Sequence, residues 1–210
     1  APWNADGVGL LVCVTMPRYS FDMRSMAVAG QMLAYFNDQF DFVKSLPEKI
    51  QNQILVRLYR DDYGWEQAKR WQDNCPGARL DTGQVPIWDL IEKTRLFIST
   101  YNATTYIESL TMNIPTIIYW NTDHWEINEE AVAFFEELEN IGVFHRSPQS
   151  AARFVAKIWD DVGAWWNSSR VQSVREKFCG YYSSTPIDIM SKIERVLSDE
   201  MATSKSQAIL

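Results

Sequence analysis

The residues best suited to hold an anion are concentrated in one run, Ser-Thr-Tyr-Asn-Ala-Thr-Thr, at positions 99–105. Apolar runs of the kind that a parallel sheet buries on both faces stand on either side, at 96–98 and 116–119. The segment that follows position 105 carries apolar residues at helical spacing up to Asn113. The pattern therefore predicts a strand, a turn, a helix and a second strand, with the polar run at the start of the helix.

The start of this helix has the chemistry of a nucleotide site. Thr104 and Thr105 would lie beside free backbone N–H groups and the positive end of the helix dipole, where a phosphate fits. Asn102 or a threonine would cap the helix, and Glu108, one turn further in, could accept both hydroxyls of a ribose. The ordinary alternative is a capped helix with a solvated glutamate. The position at the carboxyl end of a parallel strand favours the ligand site.

A second candidate element is the loop that follows the first predicted strand, at 16–24. Arg18 or Arg24 could neutralise a phosphate or bind a sugar carboxylate, and Asp22 could orient one of them or act in catalysis. The alternative is an Arg–Asp ion pair at the start of the next helix.

A third element, at 120–126, follows the strand at 116–119 and contains one of the two histidines. His124, beside Asp123 and Glu126, is a candidate for proton transfer or for contact with a sugar hydroxyl. A loop histidine that only packs or faces solvent is the alternative. These three residues lack the spacing of a metal site, and we expect no metal.

Basic and aromatic residues also end the second predicted strand. Arg57 and Arg60 would contact a pyrophosphate or pair with the neighbouring acidic residues, and Tyr59 or Tyr63 would stack on a base or pack in the core. The glycine-rich loops of dehydrogenases and P-loop nucleotidases are absent from the sequence, which disfavours both classes.

Strands and helices alternate over the first two thirds of the chain. Strands are predicted at 8–15, 54–59, 78–81, 96–99, 116–120 and 143–144, and helices at 24–46, 63–74, 85–93 and 129–140. From about residue 147 the pattern is helical alone, with helices predicted from 147 to about 162, at 164–182 and at 187–201, and a loose tail is expected from 202 to 210. The predicted fold is an α/β, Rossmann-like, mainly parallel sheet flanked by helices. Residues 1–201 would form one domain with a helical carboxyl-terminal region.

The amino-acid composition further narrows the classes of protein to which the chain could belong. With 210 residues, 46% hydrophobic residues and a net charge of −7, the chain can fill a core but lacks the clustered basic residues of a nucleic-acid groove. Three widely spaced cysteines indicate reduced thiols, with Cys13 buried in a strand. Neither a signal peptide nor an apolar run of membrane-spanning length is present, which predicts a cytoplasmic protein, either free or peripheral to the inner face of the membrane.

Several segments together resemble a family of transferases for bacterial surface carbohydrates. They lie at 3–7, 14–20, 95–120, 125–126 and 152–179. Such proteins are similar to GT-B glycosyltransferases, whose carboxyl-terminal Rossmann-like domain binds the nucleotide of an activated sugar. The resemblance implies that Thr104 and Thr105 face the phosphate and that Glu108 binds the ribose.

The resemblance implies the donor-binding domain of a glycosyltransferase for surface polysaccharide. Its substrate would be a nucleotide-activated sugar, no cofactor would be needed, and an amino-terminal acceptor domain would be the missing partner. One alternative is an alditol-phosphate transferase that uses a cytidine diphosphate donor. The other is a non-catalytic interaction module that uses the aromatic carboxyl-terminal helices.

Overall fold

In the computed structural model of the chain, which describes residues 3–19, 26–184 and 188–207, six strands form one parallel sheet. Their order across the sheet is β3-β2-β1-β4-β5-β6, so successive strands are added to one side of β1 up to β3 and to its other side from β4 onwards. The predicted Rossmann-like α/β fold is confirmed. The strands are β1 (Val8–Val12), β2 (Ile54–Arg57), β3 (Arg79–Asp81), β4 (Thr94–Ser99), β5 (Thr116–Tyr119) and β6 (Phe144–His145).

Helices cover both faces of this sheet. They are α1 (Gln31–Lys44), α2 (Glu48–Gln51), α3 (Gln67–Asn74), α4 (Ile87–Ile91), α5 (Thr104–Thr111), α6 (Glu129–Asn140), α7 (Pro148–Ile158), α8 (Val162–Trp166), α9 (Ser169–Tyr182) and α10 (Ile189–Gln207). A turn of 3-10 helix at Trp159–Asp161 joins α7 to α8. In the described residues, no helix has the length and apolar character needed to cross a membrane.

Side chains of the central strands are buried on both faces, as the continuous apolar runs predict. Leu10, Leu11, Phe97, Ile98 and Ile117 are fully inaccessible to solvent. Paired residues of parallel strands point to the same face, so the register places alternate residues of β1, β4 and β5 together on each face of the sheet. Burial of this kind favours folding by about 25 cal/mol for each Å² of apolar surface.

Two boundaries follow from local backbone chemistry. Asn113 adopts a left-handed conformation, φ 57°, just after α5, and Gly142 does so, φ 78°, between α6 and β6. A Cβ on Gly142 would lie 2.3 Å from the Phe154 ring, so both the turn and the packing require glycine there. The sequence predicted the end of a helix at both places, and both predictions are confirmed.

Several predicted boundaries differ from the structure. The first helix was expected from residue 24, but α1 begins at Gln31, and residues 20–25 lie outside the described part. One helix was expected over 164–182, yet the chain turns between α8 and α9, where the Ser168 hydroxyl caps α9. A loose tail was expected from 202, whereas α10 continues to Gln207.

The carboxyl-terminal helices belong to the same core as the sheet. Trp159, Trp166 and Phe178 are almost completely buried in it. The Trp166 indole donates to the Asn113 side chain (2.9 Å), and the buried Arg175 guanidinium donates to the carbonyl of Leu110 (3.1 Å). These bonds satisfy acceptors at the end of α5, so α8 and α9 hold that helix in place.

Candidate functional site

The crevice of the sheet lies where the strand order reverses, between the carboxyl ends of β1 and β4. Val12 and Ser99 are paired in register, so the segments that follow them leave the sheet side by side. Open α/β sheets bind ligands at this position. The β1–α1 loop and the start of α5, which the sequence singled out separately, therefore border the same edge.

A buried hydrogen-bond network joins the two strand ends. The Thr100 hydroxyl donates to the carbonyl of Val12 (2.8 Å), and the Tyr35 hydroxyl of α1 donates to Thr100 (2.6 Å). The same phenol oxygen accepts the backbone N–H of Val14 (2.9 Å). Burial raises the pKa of Tyr35 well above its ordinary value, so the phenol stays protonated and can donate. The network fixes the spacing of the crevice walls.

The start of α5 lacks a side-chain cap. Ala103 occupies the N-cap position, and no side chain accepts a hydrogen bond there, so the expected cap by Asn102 or a threonine is wrong. Asn102 instead accepts from the Tyr106 hydroxyl (3.1 Å) and donates to the carbonyl of Glu126 (3.4 Å). The N–H groups of the first turn are left without a protein acceptor from the cap residue, as an anion site requires.

The two threonines differ in environment. Thr104 is exposed at the first turn, whereas the Thr105 hydroxyl is hydrogen-bonded to that of Tyr101 (2.8 Å). Burial raises the pKa of Tyr101, and the nearby Tyr59 and Glu108 raise it further, while the bond to Thr105 lowers it. Through this bond, Tyr101 joins the segment after β4 to the first turn of α5.

Glu108 is exposed, one turn after Thr104 on the same face of α5. It borders a cavity of about 270 Å³ that also touches Ile107, Met112 and the half-exposed indole of Trp88 on α4. A carboxylate at the rim of an apolar cavity can orient a ligand that is part polar and part flat ring.

The β1–α1 loop contributes Arg18. Its guanidinium lies 5.2 Å from the centre of the Trp65 ring, and the Trp65 indole donates to the carbonyl of Met16 (2.7 Å). The exposed cation is thus stacked on a buried, fixed ring beside the crevice. Asp22 and Arg24, the other candidates on this loop, lie outside the described residues.

The two arginines at the end of β2, Arg57 and Arg60, have different surroundings. Arg57 forms an ion pair with Asp81 on the adjacent strand (2.6 Å), and both side chains are largely buried. The local salt bridge is therefore the correct interpretation for Arg57. Arg60 is exposed, and the rings of Tyr59 and Tyr63 stack 6.2 Å apart at the surface.

The two histidines have different surroundings. His124 is half-buried on the β5–α6 loop, next to the exposed Asp123, and its Nδ1 is buried without a hydrogen-bond partner in the described part of the chain. His145 is buried, with Nδ1 at 3.1 Å from the Ser150 hydroxyl and Nε2 at 3.1 Å from the carbonyl of Gly142. The two hydrogen bonds of His145 join β6 to α7. Nδ1 of His124, by contrast, makes no hydrogen bond in the described part of the chain.

Cys13 is buried in the strand region, and burial raises the pKa of its thiol far above the ordinary value, so it is an unreactive core residue. Within residues 3–19, 26–184 and 188–207, no three His, Cys, Asp or Glu side chains converge as a metal site would require.

Sequence reasoning missed Tyr35 on α1, which shapes this edge. Tyr35 sits among apolar residues and resembles any core aromatic. Its partner Thr100 is distant in the sequence, so spacing could not have identified the pair. The hydroxyl of Thr100 inside the polar run was the one available signal.

A family model described as "LIC12162 family transferase" matches residues 3–197. None of the curated proteins matches the chain. Because the match covers most of the 210 residues, the chain belongs to the LIC12162 family of transferases.

Proposed function

We propose that this member of the LIC12162 family of transferases contains the donor-binding domain of a glycosyltransferase for bacterial surface polysaccharide. The substrate is a nucleotide-activated sugar, and the acceptor is supplied by a second domain or partner. The observation that carries the proposal is the start of α5, which has no side-chain cap and lies where the strand order reverses.

In this proposal the phosphate of the donor binds at the first turn of α5. Backbone N–H groups, the Thr104 and Thr105 hydroxyls and the Arg18 guanidinium stabilise the charge that develops on the leaving phosphate. Glu108 accepts the two ribose hydroxyls, and the base extends into the cavity beside Trp88. The bond from the anomeric carbon to the phosphate oxygen then breaks as the acceptor oxygen attacks.

Calorimetry of the complete protein with CMP, CDP, UDP and GDP tests this assignment. We expect one of them to bind, and Glu108→Ala to weaken that binding by about 1.5–3 kcal/mol, the range for a hydrogen bond to a charged group. Thr104→Ala should weaken nucleotide binding less than Glu108→Ala, because the helix N–H groups still hold the phosphate. Thr105→Ala should also weaken nucleotide binding less than Glu108→Ala, although this change removes the hydrogen bond to Tyr101 as well.

Glu48→Ala is the matched control, because Glu48 is exposed on α2 just before β2, at the opposite edge of the sheet. Its variant should bind as the wild type does. A folded Glu108→Ala variant with wild-type affinity would remove the ribose role. A wild-type protein that binds none of the four nucleotides would show that the donor-domain function is wrong.

A second candidate, the interaction module, is favoured by α10. Ile189, Met190, Ile193, Val196 and Leu197 are all exposed on this helix. A face of this kind is typical of a surface that packs on another protein domain. Absence of nucleotide binding together with a stable complex of the chain with a protein partner would select this alternative.

A further inference from the structure

Two tyrosines that follow β2 form an exposed aromatic surface at the carboxyl edge of the sheet. Tyr59 is 38% exposed and Tyr63 is 41% exposed. Their rings are stacked, with centroids 6.2 Å apart and planes 27° apart. Open α/β sheets bind ligands at this edge, so a stacked pair that stays exposed here indicates a contact surface.

Hydrogen bonds fix the backbone that carries the tyrosine pair. The side chain of the buried Gln67 accepts the backbone N–H of Tyr59 and donates to its carbonyl (3.2 Å each). The Asp62 carboxylate accepts the backbone N–H groups of Glu66 (2.8 Å) and Gln67 (2.7 Å), which closes the loop around Tyr63. A surface that is fixed before the ligand arrives lowers the entropic cost of binding.

The same loop contains strained backbone. Tyr63, φ 51°, and Glu66, φ 53°, are both left-handed, and Gly64, φ 78°, lies between them. Residues other than glycine adopt this conformation at a cost in free energy, and they keep it only where the surrounding structure imposes it. Strain of this kind is concentrated at sites that contact ligands, which indicates that position 63 is retained for its exposed ring.

Charged side chains of both signs surround the tyrosine pair. Arg60 and Asp61 are exposed between the two tyrosines in the sequence, and Arg18 stacks on Trp65, two residues after Tyr63. A guanidinium donates hydrogen bonds and a carboxylate accepts them, so these groups together suit a ligand with several hydroxyls. The rings require in addition that the ligand has an apolar face.

We propose that Tyr59 and Tyr63 bind a sugar ring. The C–H groups on one face of a pyranose carry partial positive charge, and the face of an aromatic ring carries the negative part of its quadrupole, so the two faces attract. Burial of the apolar C–H groups favours the same arrangement. The hydroxyls at the edge of the pyranose then lie towards Arg60 and Asp61.

The position of the tyrosine pair in the sheet assigns this ring to the acceptor, an assignment that rests on the proposed function. β2 lies two strands from β4, about 10 Å away, with β1 between them. The transferred sugar is bonded directly to the donor phosphate and lies next to it, at the start of α5. A ring two strands away therefore belongs to the acceptor carbohydrate that the second domain or partner presents.

Saturation-transfer NMR of the complete chain tests the proposal without any nucleotide. The probes are the methyl glycosides of glucose, galactose, mannose and N-acetylglucosamine, and we expect at least one to receive saturation at its ring C–H protons. Tyr63→Ala and Tyr59→Ala should each weaken that binding about fivefold or more, whereas Tyr63→Phe should keep it, because the ring face is the contact. Circular dichroism checks the fold, and Tyr59→Ala tests the same surface if Tyr63→Ala does not fold.

Glu66→Ala is the matched control. Glu66 is exposed on the same loop and has the same left-handed conformation, but its side chain forms no cap hydrogen bond. Its variant should bind the glycosides as the wild type does, which separates the loss of a ring from a change in the loop.

Absence of saturation transfer to all four glycosides, or a signal that neither alanine variant alters, would overturn the proposal. If Tyr63→Ala weakens nucleotide binding and leaves the glycoside signals unchanged, the rings stack on the base, and the proposal is equally overturned. A wild-type protein that binds a glycoside through these rings but none of the four nucleotides would support the sugar surface and refute the donor-domain function.

Discussion

At the residue scale, His145 illustrates how burial sets the response of the fold to pH. Burial lowers the pKa of His145, while the hydrogen bond to Gly142 and the charge of Glu139 oppose that effect only in part. A histidine whose pKa is lower in the folded state is held neutral by the fold. Its contribution to stability is present above the unfolded pKa of about 6.5 and is lost as the pH falls towards the folded value.

We therefore expect His145→Gln to reduce the loss of stability between neutral and mildly acidic pH. Urea unfolding of wild type and variant across that interval measures the difference. At neutral pH the variant should be the less stable of the two, because the buried contacts with Ser150 and Gly142 are altered. Parallel pH profiles for wild type and His145→Gln would contradict the assignment.

At the scale of elements, the spacing of the crevice walls depends on a contact of α1 with the segments that follow β1 and β4. The Tyr35 hydroxyl of α1 is hydrogen-bonded both to the segment after β1, at Val14, and to the segment after β4, at Thr100. Because both bonds are buried, removing the hydroxyl leaves a donor and an acceptor unsatisfied.

Tyr35→Phe should lower the free energy of unfolding by about 1–3 kcal/mol. For a chain of this size each kcal/mol corresponds to a change of about 2–4 °C in Tm. Thermal unfolding with Tyr181→Phe as the control measures the effect, since Tyr181 is 60% exposed on α9. Equal melting temperatures for the two variants would show that the network contributes nothing.

At the scale of the whole molecule, α9 and α10 differ in their relation to the core. α9 buries Val171, Arg175 and Phe178, and it packs against α5 and α6. By contrast, residues 189–198 of α10 are exposed throughout. An isolated helix of this length is marginal in water, so the exposed apolar face is suited to packing on another surface.

A chain that ends after Ser184 should consequently fold as the complete chain does, with a Tm within about 2 °C. A chain that ends after Asn167, which also lacks α9, should unfold, because it exposes the buried residues of α5 and α6. Calorimetric melting of both truncations makes the comparison. A large loss of stability in the first would indicate that α10 packs on the remainder in solution.

The sequence by itself determined the sheet and its class. Apolar runs located the central strands, because strands buried on both faces must be continuously apolar, and the short strand at 78–81 was also predicted. Local chemistry also marked the ends of α5 and α6 at Asn113 and Gly142. The surface candidates Thr104, Glu108 and Arg18 were identified by their positions after strands, and their roles in binding stay predictions.

Only the tertiary structure decided which side chains act together. The cap of α5 was misassigned because the Asn102 side chain is hydrogen-bonded to the Tyr106 hydroxyl, one turn on, and to the carbonyl of Glu126. Arg57 was a candidate for a phosphate contact, but it forms an ion pair with Asp81, its register partner on β3. Tyr35 and Thr100, which are hydrogen-bonded to each other, lie on elements far apart in the chain. Local patterns of residues record secondary structure, but contacts between distant elements exist only once the sheet has assembled.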